Sequence, residues 1–339
     1  MPQDFAVTFA PHIRRPLSTR RIMLDVIIGL TPALSAAGIF FRIRGLAVVA
    51  VCIASCAATE WLCNRARRKP NSLGDFSAVV TGVILGLSLS AALPLWAAAI
   101  GGVFAIGIGK MVFGGLGANI FNPAMAGRLF LTVSFGILMT TWTVPATMDR
   151  YMPTISPTNA IDARTQATPL AWSKTAIKDK TGAWIYSKRL PLWQSLLGEK
   201  GGCLGETSTI ALLIGGLYLL LRRTITIHIP LAVLLSAFLF ASIVYLLNSE
   251  AYVQPFYHLF SGALLFGAFF IATDPVTAPL TIRGQWIFGI IVGVFTMLIR
   301  IVGEYPEGFM YAVFMANAVR PLIDRFVRPV PIGGVPHVA

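Results

Sequence analysis

The sequence predicts an all-α integral membrane protein of about ten transmembrane helices, in two inverted five-helix repeats with a long extracytoplasmic loop. Three observations predict it. Of 339 residues, 56% are hydrophobic and only 12% charged, whereas soluble domains run at about 45–50% apolar and about 25% charged. The mean hydropathy is +0.74. The net charge of +13 is carried by residues at the ends of apolar runs, which marks membrane topology rather than a nucleic-acid partner.

Residues 1–20 hold Pro, Asp and Arg but no apolar core of a secretory signal, so they read as a cytoplasmic N-terminal segment. Apolar stretches follow at 22–41, 45–63, 76–93, 95–113 and 121–144, making a first unit over 21–144. A second set at 207–222, 229–247, 257–273, 284–302 and 307–324 makes a unit over 207–326, with 327–339 as a cytoplasmic tail. Several stretches are short or broken by Gly and Pro, which suits helices buried in a bundle. Orientation follows from Lys and Arg. Arg14, Arg15, Arg20, Arg21, Arg65, Arg67, Arg68, Lys69, Lys110, Arg222, Arg223, Arg283, Arg320, Arg325 and Arg328 fall on one side, against Arg42 and Arg44 on the other, with Arg300 near a third outer loop. Both termini are therefore expected inside.

The segment 145–206 is polar and too long for the charge rule. Connections of this length are functional or disordered, and Tyr151, Trp172, Trp184, Tyr186 and Trp193 favour an ordered extracytoplasmic flap. The two units share a faint pattern. Phe76-Ser77, Gly82, Pro94, Trp96, Gly102-Val-Phe104 and Lys110 are echoed by Phe260-Ser261, Gly267, Pro275, Trp286, Gly293-Val-Phe295 and Arg300. Five spans per unit would insert the second unit upside down, with an ion or substrate route between the two. Cys52, Cys56 and Cys63 share one apolar run and Cys203 stands apart. They form no disulfide framework and read as small buried hydrophobes, although Cys52 and Cys56 have the spacing of a ligand pair.

Four constellations carry polar chemistry. In Lys110–Arg128, Gly114, Gly115 and Gly117 permit left-handed backbone, and Asn122-Pro123 can cap a half-helix facing an anion or carbonyl; a tight turn fits equally well. Asp274, before Pro275 at the end of an apolar run, serves a cation path or caps the next element. Asp162–Leu170 is a polar turn in which Pro169 holds Thr168 extended. Gly201, Gly202 and Gly205, leading to Thr207 and Ser208, make either an anion nest at a helix N-terminus, fit for a phosphate or flavin edge, or a flexible linker. Asp25, Glu60 and Arg128 also fall in or near spans, where each could line an ion path; pairing with nearby arginines or an interfacial position suits Asp25 and Glu60 as well.

Together these residues resemble the D subunit of the Rnf electron-transport complex and, more distantly, NqrB of the sodium-pumping quinone reductase. The resemblance runs along nearly the whole chain. It rests on Ala10-Pro-His-Ile-Arg14, Phe113-Gly-Gly-Leu-Gly, Phe121-Asn-Pro-Ala-Met125, Thr165-Gln-Ala-Thr-Pro-Leu170, Gly201-Gly-Cys-Leu-Gly-Glu-Thr-Ser208, Gly267-Ala-Phe-Phe-Ile-Ala-Thr-Asp-Pro-Val276 and Ala316-Asn317. The resemblance implies an FMN joined by a phosphoester to Thr168, where Gln166 stands in place of the family's usual Gly, and a second, non-covalent riboflavin on residues the sequence does not identify. It implies a flavoprotein subunit of a translocase in the bacterial inner membrane, its long loop periplasmic, coupling ferredoxin–NAD electron flow to sodium or proton movement. Partners would be the A, B, C, E and G subunits of Rnf, membrane lipid, and a flavin transferase for maturation, with no nucleic acid and no metal. No side chain is expected to act as an acid–base catalyst; flavin would do the electron chemistry, with Gly201, Gly202, Gly205, Thr207 and Ser208 as flavin support and Asp274 on the ion path. The alternative is a passive channel or solute transporter without flavin. A haem subunit is poorly served by His12, His228, His258 and His337, none of which share a helix face within the bilayer.

Overall fold

The computed structural model describes residues 18–142, 170, 174, 196–198, 201–303, 305 and 307–328. Among the described residues the regular structure is entirely helical. Helix α1, Thr19–Ala66, opens on Ser18, whose side chain accepts from the Arg21 amide. Its 48 residues are about twice what one crossing needs. Arg42 interrupts it with φ 55 and ψ −151, so the two apolar stretches expected at 22–41 and 45–63 are two helical arms meeting at one sharply turned residue. The first arm packs on α6 (Thr209–Leu221), where a Cβ on Gly215 would run into the Gly29 carbonyl. The second packs on α2 (Ser77–Leu87) and α3 (Leu95–Ile106).

Several helices are shorter than their apolar runs. α2 stops at Leu87, where the amides of Gly205 and Leu204 donate to the carbonyls of Leu87 and Leu89 at 2.7 and 2.9 Å. α3 runs on into a π-helical turn, Gly107–Met111. α4, Pro123–Ser134, starts on the Asn122 side chain, which accepts from the amides of Ala124 and Met125 at 3.0 and 3.3 Å, and a short α5, Gly136–Thr140, follows. The half-helix reading of Asn122-Pro123 thus corresponds to an actual helix start.

α7 (His228–Leu247) and α10 (Ile282–Ile301) pack side by side. Between them lie α8 (Pro255–Phe260), α9 (Leu264–Phe266) and a second π-helical turn, Gly267–Ile271. α11, Phe309–Phe326, closes the described chain and stacks Phe314 on Phe121, ring centroids 3.9 Å apart. Helices α1, α7 and α10 are long and apolar enough to cross a membrane. Ile39, Ile43, Val133, Ile137, Leu221, Leu246 and Leu247 stand largely exposed, which suits a hydrocarbon solvent and not water.

Two helix pairs meet in the same way. Gly102 on α3 lies against the Ser55 hydroxyl of α1, and Gly293 on α10 against the Ser236 hydroxyl of α7; neither glycine has room for a Cβ. Cys52 and Cys56 point their thiols at the carbonyls of Ala98 and Gly102, 3.8 and 3.7 Å away, as buried packing groups between α1 and α3. Most of the expected flap over 145–206 falls outside the described residues.

Gly102→Ala should therefore destabilise the protein by about 1–3 kcal/mol, read as a lower unfolding temperature in detergent. In a Ser55→Ala background the same change should cost clearly less; equal costs in both backgrounds would refute a direct Gly102–Ser55 contact.

Candidate functional sites

Two polar assemblies lie inside the apolar bundle, at different places along it. The first surrounds a cleft with apolar walls from Met23, Val26, Val80, Ile84, Leu219, Phe269 and Phe270. Its polar lining comes from Lys110, Asn119, Asn122, Thr224, Thr273 and Asp274. Two chain breaks build it. Gly114, Gly115 and Gly117 hold φ of +124, +117 and +93, values that favour glycine, and bring the chain from α3 round to α4. Across the cleft, Asp274 caps its own turn, accepting from the Val276 amide and the Thr277 hydroxyl, both at 3.2 Å. Its other contact is the Asn122 side-chain amide at 3.4 Å. Two motifs 152 positions apart in sequence thus meet at one place. Asn119 donates to the Phe121 carbonyl, while its buried Oδ1 has no partner among the described residues.

Lys110 belongs to the cleft wall and to a charge network behind it. The π-helical turn carries its ammonium group to Glu60 Oε2 at 2.7 Å and the Ser77 hydroxyl at 2.6 Å. Ser72 donates to the other Glu60 oxygen and receives from Asn64. Both ionic side chains are almost wholly buried. Such a pair is costly to bury, and removing one partner strands the other. Asp25 is tied down by Arg222, Thr224 and Tyr218 at 3.1–3.4 Å, an ion pair with a structural role in joining α1 to α6.

The second assembly lies where Arg300 closes α10. Arg300 donates to the carbonyls of His258 and Ser261 at 2.7 and 3.1 Å and to Glu307 Oε1 at 3.3 Å. Glu307 also accepts from the Ala263 amide at 3.1 Å and lies 3.9 Å from Arg128. Arg128 in turn donates to the Cys203 sulfur at 3.2 Å. Glu206 Oε1 accepts from the Cys203 amide at 2.6 Å. Gly262, at φ +71, lets the backbone pass between Arg300, Glu307 and the side chain of Leu170. Glu206 stands in the connector before α6, and burial, reinforced by the neighbouring Glu307, pushes its carboxyl up to about 8. The oxygen and sulfur atoms of Cys203, Glu206 and Glu307 lie within 4.8 Å of one another, a spacing a metal could use. Arg128 and Arg300 already bring the positive charge there, so we read an arginine–carboxyl network.

The residues singled out from sequence fall into three groups. Asp274 is in the cleft. Gly201, Gly202, Gly205, Thr207 and Ser208 form a buried plug against the end of α2. None of these three glycines has the positive φ of a nest, and the amides of Cys203, Leu204 and Gly205 are spent within the protein. Ser208 caps α6 through the Ala211 amide, and Thr207 donates to the Leu204 carbonyl. Thr168 lies outside the described residues; Leu170, two positions on, is buried against Gly262. Pattern reading passed over the Glu60–Lys110 and Arg300–Glu307 partnerships. Their signal was present, since ionisable residues inside apolar runs are rarely without a partner.

Residues 6–333 match the model of the NQR2, RnfD, RnfE family. The chain belongs to that family. Among its relatives, this family member is 42% identical to the D subunit of the Na(+)-translocating ferredoxin:NAD(+) oxidoreductase complex of Acetobacterium woodii, over 96% of this chain and 94% of the relative. It is 38% identical to the D subunit of the ion-translocating oxidoreductase complex of Actinobacillus succinogenes, over 96% of this chain and 97% of that one. It is likewise 38% identical to the D subunit of the proton-translocating ferredoxin:NAD(+) oxidoreductase complex of Clostridium ljungdahlii, over 97% and 96%.

Lys110→Met should strand the buried Glu60 carboxylate and cost about 3–5 kcal/mol. Pairing it with Glu60→Gln should recover much of that loss in thermal unfolding, whereas a double variant as unstable as the sum of the two would contradict the pairing.

Proposed function

We propose that this chain is the D subunit of an ion-translocating ferredoxin–NAD oxidoreductase complex and that it bears flavin within the membrane. The observation that carries the reading is a match to D subunits of such complexes along almost the entire chain, on a scaffold of apolar helices. The chain works as one part of a translocase, with the other Rnf subunits as partners, and performs no catalysis alone.

The topology in this reading has ten spans, both termini cytoplasmic and the 145–206 loop periplasmic, in a bacterial inner membrane. The two units are inverted repeats. In support, Gly102 against Ser55 is matched by Gly293 against Ser236. Lys110 donating to Ser77 is likewise matched by Arg300 donating to the Ser261 carbonyl. Gly102 and Gly293, Lys110 and Arg300, and Ser77 and Ser261 are echoed positions of the two halves.

FMN is joined through its phosphate to Thr168 by a flavin transferase. The burial of Leu170 beside Arg300 and Gly262 supports a loop anchored at the arginine–carboxyl network. There the Gly201–Ser208 plug would serve as a packed floor, its amides being already engaged. A second flavin, riboflavin, suits the Asp274 cleft. Phe269 and Phe270 offer apolar walls to a planar ring, and Asn122, Thr273, Asp274 and the unpartnered Asn119 Oδ1 offer hydrogen bonds to a polyol or ring edge. Bound flavin supplies the one- and two-electron chemistry that no side chain here can. The chain orients the ring, shields it from water and surrounds it with fixed charge. An ion route past Asp274 between the two units fits the same frame.

Protein produced together with its transferase should show an FMN-sized mass addition on the peptide containing Thr168, and a fluorescent band on a denaturing gel. Thr168→Val should lose both; a band that survived would rule out this attachment. A colourless, flavin-free preparation would favour the channel or solute-transporter alternative.

A further inference from the structure

The arginine–carboxyl network is unevenly wired. Among the described residues, none of its side-chain donors is bonded to Glu206: Arg300 and the Ala263 amide donate to Glu307, Arg300 also to the carbonyls of His258 and Ser261, and Arg128, 3.9 Å from Glu307, donates to the Cys203 sulfur. Glu206 receives one backbone amide, on Oε1. Its other oxygen is buried with no donor among the described residues, and the side chain is pressed against Gly202, where a Cβ would collide with Oε1. An ionised Glu206 would carry buried negative charge on an oxygen without a hydrogen bond, with its carboxyl group within 4.8 Å of a second carboxylate. A proton on it removes the repulsion and turns it into a donor toward Glu307.

We propose that Glu206 is a proton-binding site, its Oε2 holding an exchangeable proton shared with Glu307. The other groups facing it are Arg128 from α4, Arg300 from α10 and Cys203 from its own segment, with Tyr311 of α11 beside Arg128. With the proton bound, two arginines face one carboxylate and the network carries one net positive charge. With it released, the network is neutral. Negative charge brought close by therefore draws a proton onto Glu206, and its removal lets the proton go. The network touches Leu170, two residues from Thr168. If the attachment proposed above holds, the charge that arrives is that of reduced flavin, and Glu206 is a positioning residue for its potential. This second part rests on that reading; the proton site does not.

Infrared spectroscopy of the intact chain in lipid nanodiscs, with carbon-13 on glutamate alone, tests the site without interference from Asp274. Near neutral pH a label-sensitive carbonyl stretch of a protonated acid is expected, lost on alkaline titration and absent in Glu206→Gln. The same band should persist in Thr168→Val, which keeps the outcome independent of the flavin. Glu307→Gln offers a second reading. With residue 307 uncharged, Glu206 becomes the remaining partner of two arginines and should ionise, so the band should vanish at neutral pH. A wild-type spectrum without the band, a band unaffected by Glu206→Gln, or one that survives Glu307→Gln would overturn the shared proton. In the flavin-bearing complex, the pH dependence of the flavin midpoint should be shallower in Glu206→Gln; an unchanged slope would overturn the coupling while leaving the proton site standing.

Discussion

A helix that ends buried among apolar side chains has no water to take its last carbonyls, so another part of the protein must supply the missing donors. That constraint organises this molecule. α2 can stop after eleven residues because the Gly201–Ser208 segment brings the amides of Leu204 and Gly205 to its end. α4 can begin late because Asn122 caps its amides, and α6 because Ser208 does the same. Each interruption leaves a polar place in an otherwise apolar bundle. The cleft and the arginine–carboxyl network both form at such places, which links the economy of backbone hydrogen bonds directly to where chemistry can occur.

The two assemblies handle buried charge differently. Lys110 and Glu60 face each other one to one, with Ser72 and Ser77 completing their hydrogen bonds. That arrangement is closed and suits a fixed joint between α1, α2 and α3. At the Arg300 end the donors crowd onto Glu307 while Glu206 is left short. An unbalanced network can exchange charge with whatever lies beside it, whereas a balanced one resists change.

Helix placement was largely legible in the sequence, since hydropathy reports burial in lipid directly. Even the break between 22–41 and 45–63 coincides with Arg42. Helix length was less so. The apolar run at 76–93 continues beyond the end of α2 through a tight turn, because hydropathy responds to burial and not to dihedral angles. Asp274 and Asn122 were each visible as polar residues at a break, but their meeting depends on tertiary packing. The same holds for Glu307 and Arg128, which are distant in sequence and joined only by the fold. The glycines 201, 202 and 205 were read for backbone freedom, whereas Gly202 and Gly205 leave no room for a side chain against Glu206 and Leu87. Thr168 stood out through family resemblance alone, because a single hydroxyl in a polar segment has no periodicity to mark it.

The π-helical turn at Gly107–Met111 has a further consequence. Closing a backbone ring one residue wider than usual works as an insertion in the helical register. Each residue of an ordinary helix turns the chain by about 100°, so the extra position swings everything after it round the axis. Lys110 lies on this turn, and the bulge is what aims its side chain inward at Glu60 and Ser77. An uninterrupted helix of the same composition would present that ammonium group to a different neighbour, so the geometry of the ion pair is inherited from one surplus residue.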